Sequence, residues 1–195
     1  MNEVWIIDTA RTPRGIGKMG KGALSEIHPQ RLLSTVLTTL QERNNLNTAD
    51  VDDVIAGCGM QLGKQSQCIA RMAALDAGWD NQATGFSIDR FCGSGLTAIN
   101  LAVMGIMSGQ QDLVVAGGVE SMSYAVTQPL MPIQDSDNTH LRDLHPMPHQ
   151  GVCADMIATL EGITREDIEQ LAVESQRRAD IAIKEGRFDK SLVPV

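Results

Sequence analysis

Apolar residues run along this chain in short blocks that alternate with longer blocks of helical period. Val4 to Asp8 (VWIID) reads as a buried strand. Residues 28–45 (HPQRLLSTVLTTLQERNN) place Leu32, Leu33, Val36, Leu37 and Leu40 on one helix face, with Pro29 suited to the first turn. A second strand, VDDVIAGCGM (51–60), runs into glycines. It is followed by a helix, QCIARMAALDAG (67–78), that Gly78 can close in the left-handed conformation. GFSID (85–89) is a third strand. GSGLTAINLAVMGIMSG (93–109) is a helix apolar almost all round, expected to be buried on most sides. DLVVAGG (112–118) is a fourth strand. This alternation predicts an α/β layered domain with a largely parallel sheet, and the near-continuous apolar strands predict cover on both faces.

The texture changes after Gly118. Residues 119–150 hold four prolines and no sustained periodicity, which predicts a long functional or interfacial excursion. Helical period then resumes. Thr164 and Asp167 form a capping-box start to a helix that Gly186 closes, with Ile168, Leu171, Ala172, Ser175 and Ala179 on one stripe. The final SLVPV (191–195) reads as the beginning of a strand.

Composition narrows the function classes. A length of 195 residues suffices for one core, or one domain and part of another. With 43% hydrophobic and 21% charged residues, the balance is that of a soluble globular protein. No apolar run approaches the roughly 20 residues of a membrane helix. No basic segment precedes VWII, so no secretory signal is expected and the cytosol is the default compartment. A net charge of −8 and 3% aromatics argue against a nucleic-acid surface, without forbidding an anionic ligand.

The four cysteines form no C-x-x-C pair and no histidines stand at zinc-ligand spacing, so no metal site is expected. Cys58, Cys68 and Cys153 fit the default of a free, packing thiol. Cys92 differs because it sits at a strand-to-helix junction, followed at once by Gly93-Ser94-Gly95. A helix start stabilises a thiolate, and Gly93 and Gly95 let a substrate or another backbone approach the sulfur. Position alone leaves nucleophile and packing thiol as balanced readings. GIGKMG (15–20) matches a dinucleotide fingerprint by letter, but it neither leaves a strand directly nor opens a helix, and reads as a mobile loop. His28 reads as a helix-entry residue, His140 as solvated, and His145 and His149 as loop residues, with His149 just ahead of a helix. Asn100 reads as a satisfied core amide and Glu120, at a strand end, as a structural hydrogen-bonding residue.

Several segments together resemble the thiolase family. ARTPRG (10–15) is similar to its A-R-T-P-x-G, and FSIDRFCGSGLTAI (86–99) to its nucleophile segment N-x-x-C-x-S-G, with Asp89 in place of the asparagine. VVAGGVESMS (114–123) matches A-G-G-x-E-x-M-S. HQGVCAD (149–155) resembles the H-M-G-x-T-A-E that opens the helical loop domain, with Gln150, Cys153 and Asp155 as departures, and EGRFDKSLVPV resembles the stretch after it. The resemblance implies a thiolase-like α/β layered fold with a mixed, largely parallel sheet. Residues 1–118 would be the N-terminal core half without its last strand. Residues 119–195 would be a partial loop domain, comprising the Pro-rich excursion 120–150 and helices over 151–186.

It also implies an acyltransferase of fatty-acid or steroid/lipid metabolism. Such an enzyme performs thiolytic cleavage or Claisen condensation of 3-oxoacyl-CoA and acetyl-CoA through an acyl-cysteine thioester. Cys92 would be the acylated nucleophile, its backbone N–H serving the oxyanion. His149, Gly93 and Gly95 would line the pocket for substrate and CoA. Coenzyme A is then a substrate, with no metal and no tightly bound cofactor. The departures bear on acyl preference, and LHPMPHQG (144–151) is expected to shape a pocket for a bulky acyl group. The family's G-H-P histidine, C-x-G-G-G cysteine and N-E-A-F asparagine do not occur in this sequence. The 195 residues alone are therefore expected to be inactive, with the C-terminal half supplied by a longer chain or by a separate one. A non-catalytic acyl-CoA-binding subunit is the alternative of a different class, and a ketoacyl-synthase-type condensing enzyme fits the surrounding motifs poorly. The family suggests homodimers or tetramers with the Pro-rich excursion as the tetramer contact, and no nucleic-acid or membrane partner.

Overall fold

The computed structural model describes residues 3–128 and 134–195, in two compact units: Met1–Pro129 with Ser191–Val195, and Leu130–Lys190. In the first unit β1 (Asp53–Gly57), β2 (Thr84–Ile88) and β3 (Val114–Gly118) form a wholly parallel sheet in the order β2-β1-β3. Ile55 stands opposite Phe86 on one side and Ala116 on the other. Alternation along the central strand sorts the core into two layers. Val54 and Ala56 pack with Leu33 and Leu37 of α1 (Pro29–Asn44) and with Ala70, Ala73 and Ala74 of α2 (Ile69–Asp76). Ile55 points the other way, against Ala98 and Ala102 of α3 (Ser94–Met107). The crossovers β1-α2-β2 and β2-α3-β3 run in opposite directions over opposite faces, so they share one hand, as parallel crossovers do.

Local chemistry sets the helix ends. The His28 imidazole caps α1 by accepting the Gln30 N–H at 3.3 Å, ahead of Pro29. The Ser34 hydroxyl and the Arg31 guanidinium (3.2 Å) both donate to the Asp76 carboxylate, tying α1 to the end of α2. Those two bonds, Ser34 first, hold Asp76 below the usual carboxylate range. Gly78, at φ 76°, closes α2 as the sequence predicts. A short helix, α4 (Met122–Ala125), follows β3.

Three sequence expectations need correction. Val4–Asp8 is irregular rather than a buried strand, with Trp5, Ile6 and Ile7 at 76%, 80% and 72% exposure. Apolar runs signal a wish for burial, whereas a strand also needs a hydrogen-bonding partner, and none pairs with this segment among the described residues. It is fastened instead by the Asp8 carboxylate, which accepts from the Asn44 amide at 2.9 Å and the Thr9 N–H at 2.7 Å. α3 is not buried on most sides. Only Ser94, Ala98 and Ala102 are buried, because small residues at four-residue spacing let the helix lie close on the sheet. Its larger residues Leu96, Ile99 and Met104 are exposed. Asn100 is correspondingly exposed rather than a core amide. SLVPV makes a single parallel bridge, Leu192 to Arg11, with Arg11 N–H to Ser191 O and Val193 N–H to Arg11 O both at 2.8 Å.

The second unit is helical: α5 (Thr139–Leu144), α6 (Gln150–Glu161) and α7 (Arg165–Lys184). The capping box forms, with Asp167 N–H to Thr164 Oγ1 at 3.2 Å and Thr164 N–H to Asp167 Oδ2 at 2.9 Å. None of these helices has a buried residue, and the Ile168–Leu171 stripe faces solvent. The buried Asp135 carboxylate takes a bidentate bond from Arg142, at 2.6 and 2.7 Å. The stretch expected to be irregular thus holds α4 and α5, each too short to leave a periodic signature. Pro129 and Pro132 of that stretch lie outside the described residues. Among the described residues no helix is long and apolar enough to cross a membrane.

Candidate active site

The carboxyl ends of the three strands deliver three loops to one edge of the sheet, where ligands bind in open α/β folds. The loop after β2 carries Cys92, and its geometry follows from a few polar atoms. The Asp89 carboxylate accepts the Phe91 N–H at 2.8 Å. The buried Ser94 hydroxyl accepts the Arg90 N–H at 2.8 Å and donates to Phe91 O at 2.6 Å. Phe91 O also accepts the Ser94 N–H at 3.1 Å. These bonds hold Phe91 at φ 51°, a left-handed conformation that costs a bulky residue on the order of 1 kcal/mol. The strained residue is therefore Phe91, not either glycine that the sequence singles out.

Cys92 is exposed, one residue ahead of the N-cap Gly93 of α3. The Gly93 N–H donates to Arg90 O at 3.1 Å, so the turn itself uses the first donors of the helix start. The two glycines play different parts. A Cβ on Gly93 would lie 3.3 Å from Arg90 O, whereas one on Gly95 would meet nothing within 4 Å. Gly95, three residues after Cys92, thus faces open space. Gly57, at the end of β1, makes the close approach: its Cβ would fall 2.6 Å from the Ser94 carbonyl carbon.

Behind the turn lies a polar cluster that sequence reasoning only touched. The Glu120 carboxylate accepts the N–H groups of Gly59 (2.8 Å) and Met60 (3.2 Å) and the Gln65 amide (2.6 Å). Gln65 is fully buried, and its oxygen accepts the Ser121 N–H at 2.6 Å. Glu120 therefore has the structural hydrogen-bonding role expected of it. Gln65 carried no signal beyond being a polar residue between glycine and a helix. Buried Cys58 has its thiol pushed up to about 11, by desolvation first and then by the Glu120 carboxylate, with Asp89 adding to it.

Cys92, Gly93 and Gly95 are neighbours on one turn. His149 belongs to the second unit, where it is the N-cap of α6 and its Nδ1 accepts the Gly151 N–H at 3.1 Å. Cys153, in α6, has its sulfur 3.7 Å from Pro148 O. Among the described residues no group of His, Cys, Asp or Glu is placed to hold a metal ion.

A strained, hydrogen-bonded turn that presents an exposed cysteine from a parallel α/β sheet is the framework of a protein with a candidate thiol nucleophile. Comparison with known proteins narrows that class. The sequence matches the family described as "Thiolase, N-terminal domain" over residues 4–195. It is 36% identical to a steroid 3-ketoacyl-CoA thiolase of Mycobacterium tuberculosis, with 100% of this chain and 50% of that protein covered. It is 35% identical to a β-ketoadipyl-CoA thiolase of Acinetobacter baylyi, with 100% of this chain and 52% of that protein covered. The crystal structure of the Bacillus anthracis acetyl-CoA acetyltransferase superposes with a TM-score of 0.78 at 34% identity, covering 94% of this chain and 48% of that one. The chain belongs to the thiolase family. It spans about half the length of the curated relatives it matches.

Proposed function

We propose that this chain is the nucleophile-bearing half of an acetyl-CoA C-acyltransferase. The Cys92 sulfur attacks the thioester or 3-oxo carbonyl carbon of an acyl-CoA, and the acyl group is carried as a cysteine thioester. CoA leaves in the thioester direction; in thiolysis the acetyl-CoA carbanion leaves and must be protonated. A thiol suits this role because its thiolate is strongly nucleophilic and its thioester stays reactive. The exposed Cys92 at the start of α3, three residues ahead of a Gly95 that faces open space, is the observation that carries the reading. The backbone N–H of Cys92 is assigned to the tetrahedral oxyanion and Gly93 and Gly95 to the approach of substrate and CoA, while the assignment of His149 to substrate and CoA binding rests on the family resemblance alone. Acid/base groups that activate the thiol and handle the carbanion proton belong to a complementary half. In this reading residues 119–195 are part of a loop domain and the working protein is an oligomer. Relatives bear steroid, 3-ketoacyl and β-ketoadipyl names, so a bulky or polar acyl group is as consistent with the family as a short linear one.

The test is incubation of the chain with acetyl-CoA and acetoacetyl-CoA, followed by intact-mass and peptide analysis. One acyl group on Cys92, absent in Cys92→Ala, is expected, with multiple turnover only when the complementary half is present. Reversible acyl-CoA binding that leaves Cys92 unmodified, with or without the other half, would point to the non-catalytic subunit instead.

A further inference from the structure

The cluster behind the Cys92 turn is built for an ion that only accepts. Every group facing the Glu120 carboxylate is a donor: the Gly59 and Met60 N–H groups on Oε2, and the Gln65 amide nitrogen on Oε1. Gln65 cannot turn around, because its oxygen is taken by the Ser121 N–H at 2.6 Å while its nitrogen also donates to Met60 O at 2.9 Å. The pair therefore stitches the loop after β1 to the loop after β3. The loop so fixed lies against the nucleophile's turn. The Cys58 N–H donates to Ile88 O at 3.0 Å, just ahead of that turn. A Cβ on Gly59 would lie 3.9 Å from Phe91 O and 4.0 Å from the Asp89 carboxylate. A turn that keeps Phe91 at positive φ needs a fixed surface behind it.

We propose that Glu120, oriented by Gln65, is a positioning residue for Cys92, holding Gly59–Met60 as the floor on which the Asp89–Phe91 turn rests. The assignment depends on Cys92 being the reactive thiol of the preceding section. Glu120 acts through the backbone, and its carboxylate is saturated by donors rather than available as a base. A glutamine at 120 has nearly the same volume but turns an NH₂ toward either the two backbone N–H groups or the Gln65 amide. Glu120→Gln thus breaks the clamp without leaving a hole.

The test is the pH profile of Cys92 alkylation by iodoacetamide, followed by peptide mapping on the full chain, for Glu120→Gln and Glu120→Asp. Val54→Ala, in the core of the same sheet, is the stability control. The titratable groups on the three loops are Cys58, Lys64 and Cys68 after β1, Asp89, Arg90 and Cys92 itself after β2, and Glu120 after β3, with Tyr124 of α4 bonded to the Lys64 N–H. Glu120→Gln is expected to slow alkylation near neutral pH by about tenfold and to move the profile to higher pH by about one unit. Glu120→Asp keeps the acceptors on a shorter arm and should move both the same way by less, so it stands in should Glu120→Gln not fold. Val54→Ala should lower the denaturation midpoint and leave the profile alone. Loss of a negative charge by itself favours the thiolate. A profile moved to lower pH or unmoved, or one that Val54→Ala moves equally, overturns the proposal. Alkylation reads the thiol and not acyl transfer. A wild-type chain that acyl-CoA fails to acylate would therefore sink the function and leave this comparison standing.

Discussion

Gly57→Ala is the sharpest perturbation of the link between fold and site. A Cβ at Gly57 would fall 2.6 Å from the Ser94 carbonyl carbon, 2.7 Å from Ser94 Cβ and 2.8 Å from the Gly95 nitrogen. Carbon atoms at rest stand ~3.5–4.0 Å apart, so the start of α3 must retreat by roughly 1 Å. No flexible side-chain tip can absorb this, since two of the three atoms are backbone. Overpacking of this kind costs about 1–3 kcal/mol, against a total stability of roughly 5–15 kcal/mol. The retreat is imposed on Ser94, whose hydroxyl bonds Arg90 and Phe91 at 2.8 and 2.6 Å. The turn must follow the helix or lose bonds worth about 1 kcal/mol each. Urea denaturation should therefore show a loss of about 2–3 kcal/mol. Cys92 alkylation should change by more than a stability-matched core variant changes it. Gly95→Ala is the contrast, one residue away in open space. It should leave stability within about 0.5 kcal/mol, yet slow acylation by acyl-CoA, because the new methyl enters the flank assigned to substrate. A Gly57→Ala protein as stable and as reactive as wild type would refute the reasoning from close approach.

Three further outcomes follow from named contacts. The Cys58 thiol titrates higher in the folded chain than in the unfolded one, so it favours the fold below the unfolded value, and stability should fall as pH rises toward about 11. Cys58→Ala should flatten that alkaline slope, and in the native chain at mildly alkaline pH Cys92 should alkylate while Cys58 does not. Asp76 has the opposite sign: its carboxylate is held low by Ser34 and Arg31, so its contribution is present above the unfolded value of about 4 and is lost on acidification. Asp76→Asn should remove that part of the acid dependence in pH-dependent denaturation curves. Finally, the bare apolar residues of α3 and of Trp5–Ile7 should drive association of the 195-residue chain. Light scattering that finds a monodisperse monomer with cooperative unfolding would count against a covered face.

What was legible in the sequence depended on whether the signal was local. The three strands and α1, α2 and α3 were readable because apolar period and end chemistry lie within each segment, as with Pro29, Gly78 and the Thr164–Asp167 box. Val4–Asp8 failed because pairing is a property of two segments, and its apolar run carries no information about a partner. α3 failed in a more instructive way. Its composition is uniformly apolar, but burial was decided by size, with Ser94, Ala98 and Ala102 on the sheet and Leu96 and Ile99 outside. At the candidate site, the placement of Cys92 just ahead of a helix start was legible from its junction. The strain at Phe91 was not, although its bonds to Asp89 and Ser94 are local, because no residue type there marks a positive φ; nor was the buried Gln65, whose partners Glu120 and Ser121 lie 55 and 56 residues away in the chain.

The two faces of α3 connect these findings to the chemistry. One face is set against the sheet by small residues, and the start of the same helix fixes the Cys92 turn through Ser94. The other face carries Leu96, 66% exposed, and Ile99, within two turns of the thiol. Any body that covers this face is thereby brought up against Cys92 in a defined register, because the helix that it grips is the helix that holds the sulfur. A covering half would thus supply burial for the apolar face and an activating group for the thiol in the same docking event. That coupling makes a specific demand. Leu96→Asp or Ile99→Asp, neither of which touches the turn's hydrogen bonds, should leave single acylation of Cys92 by acyl-CoA intact while abolishing the turnover that the complementary half confers. If either variant turned over normally with that half, activation would have to reach Cys92 by a route that does not pass over α3.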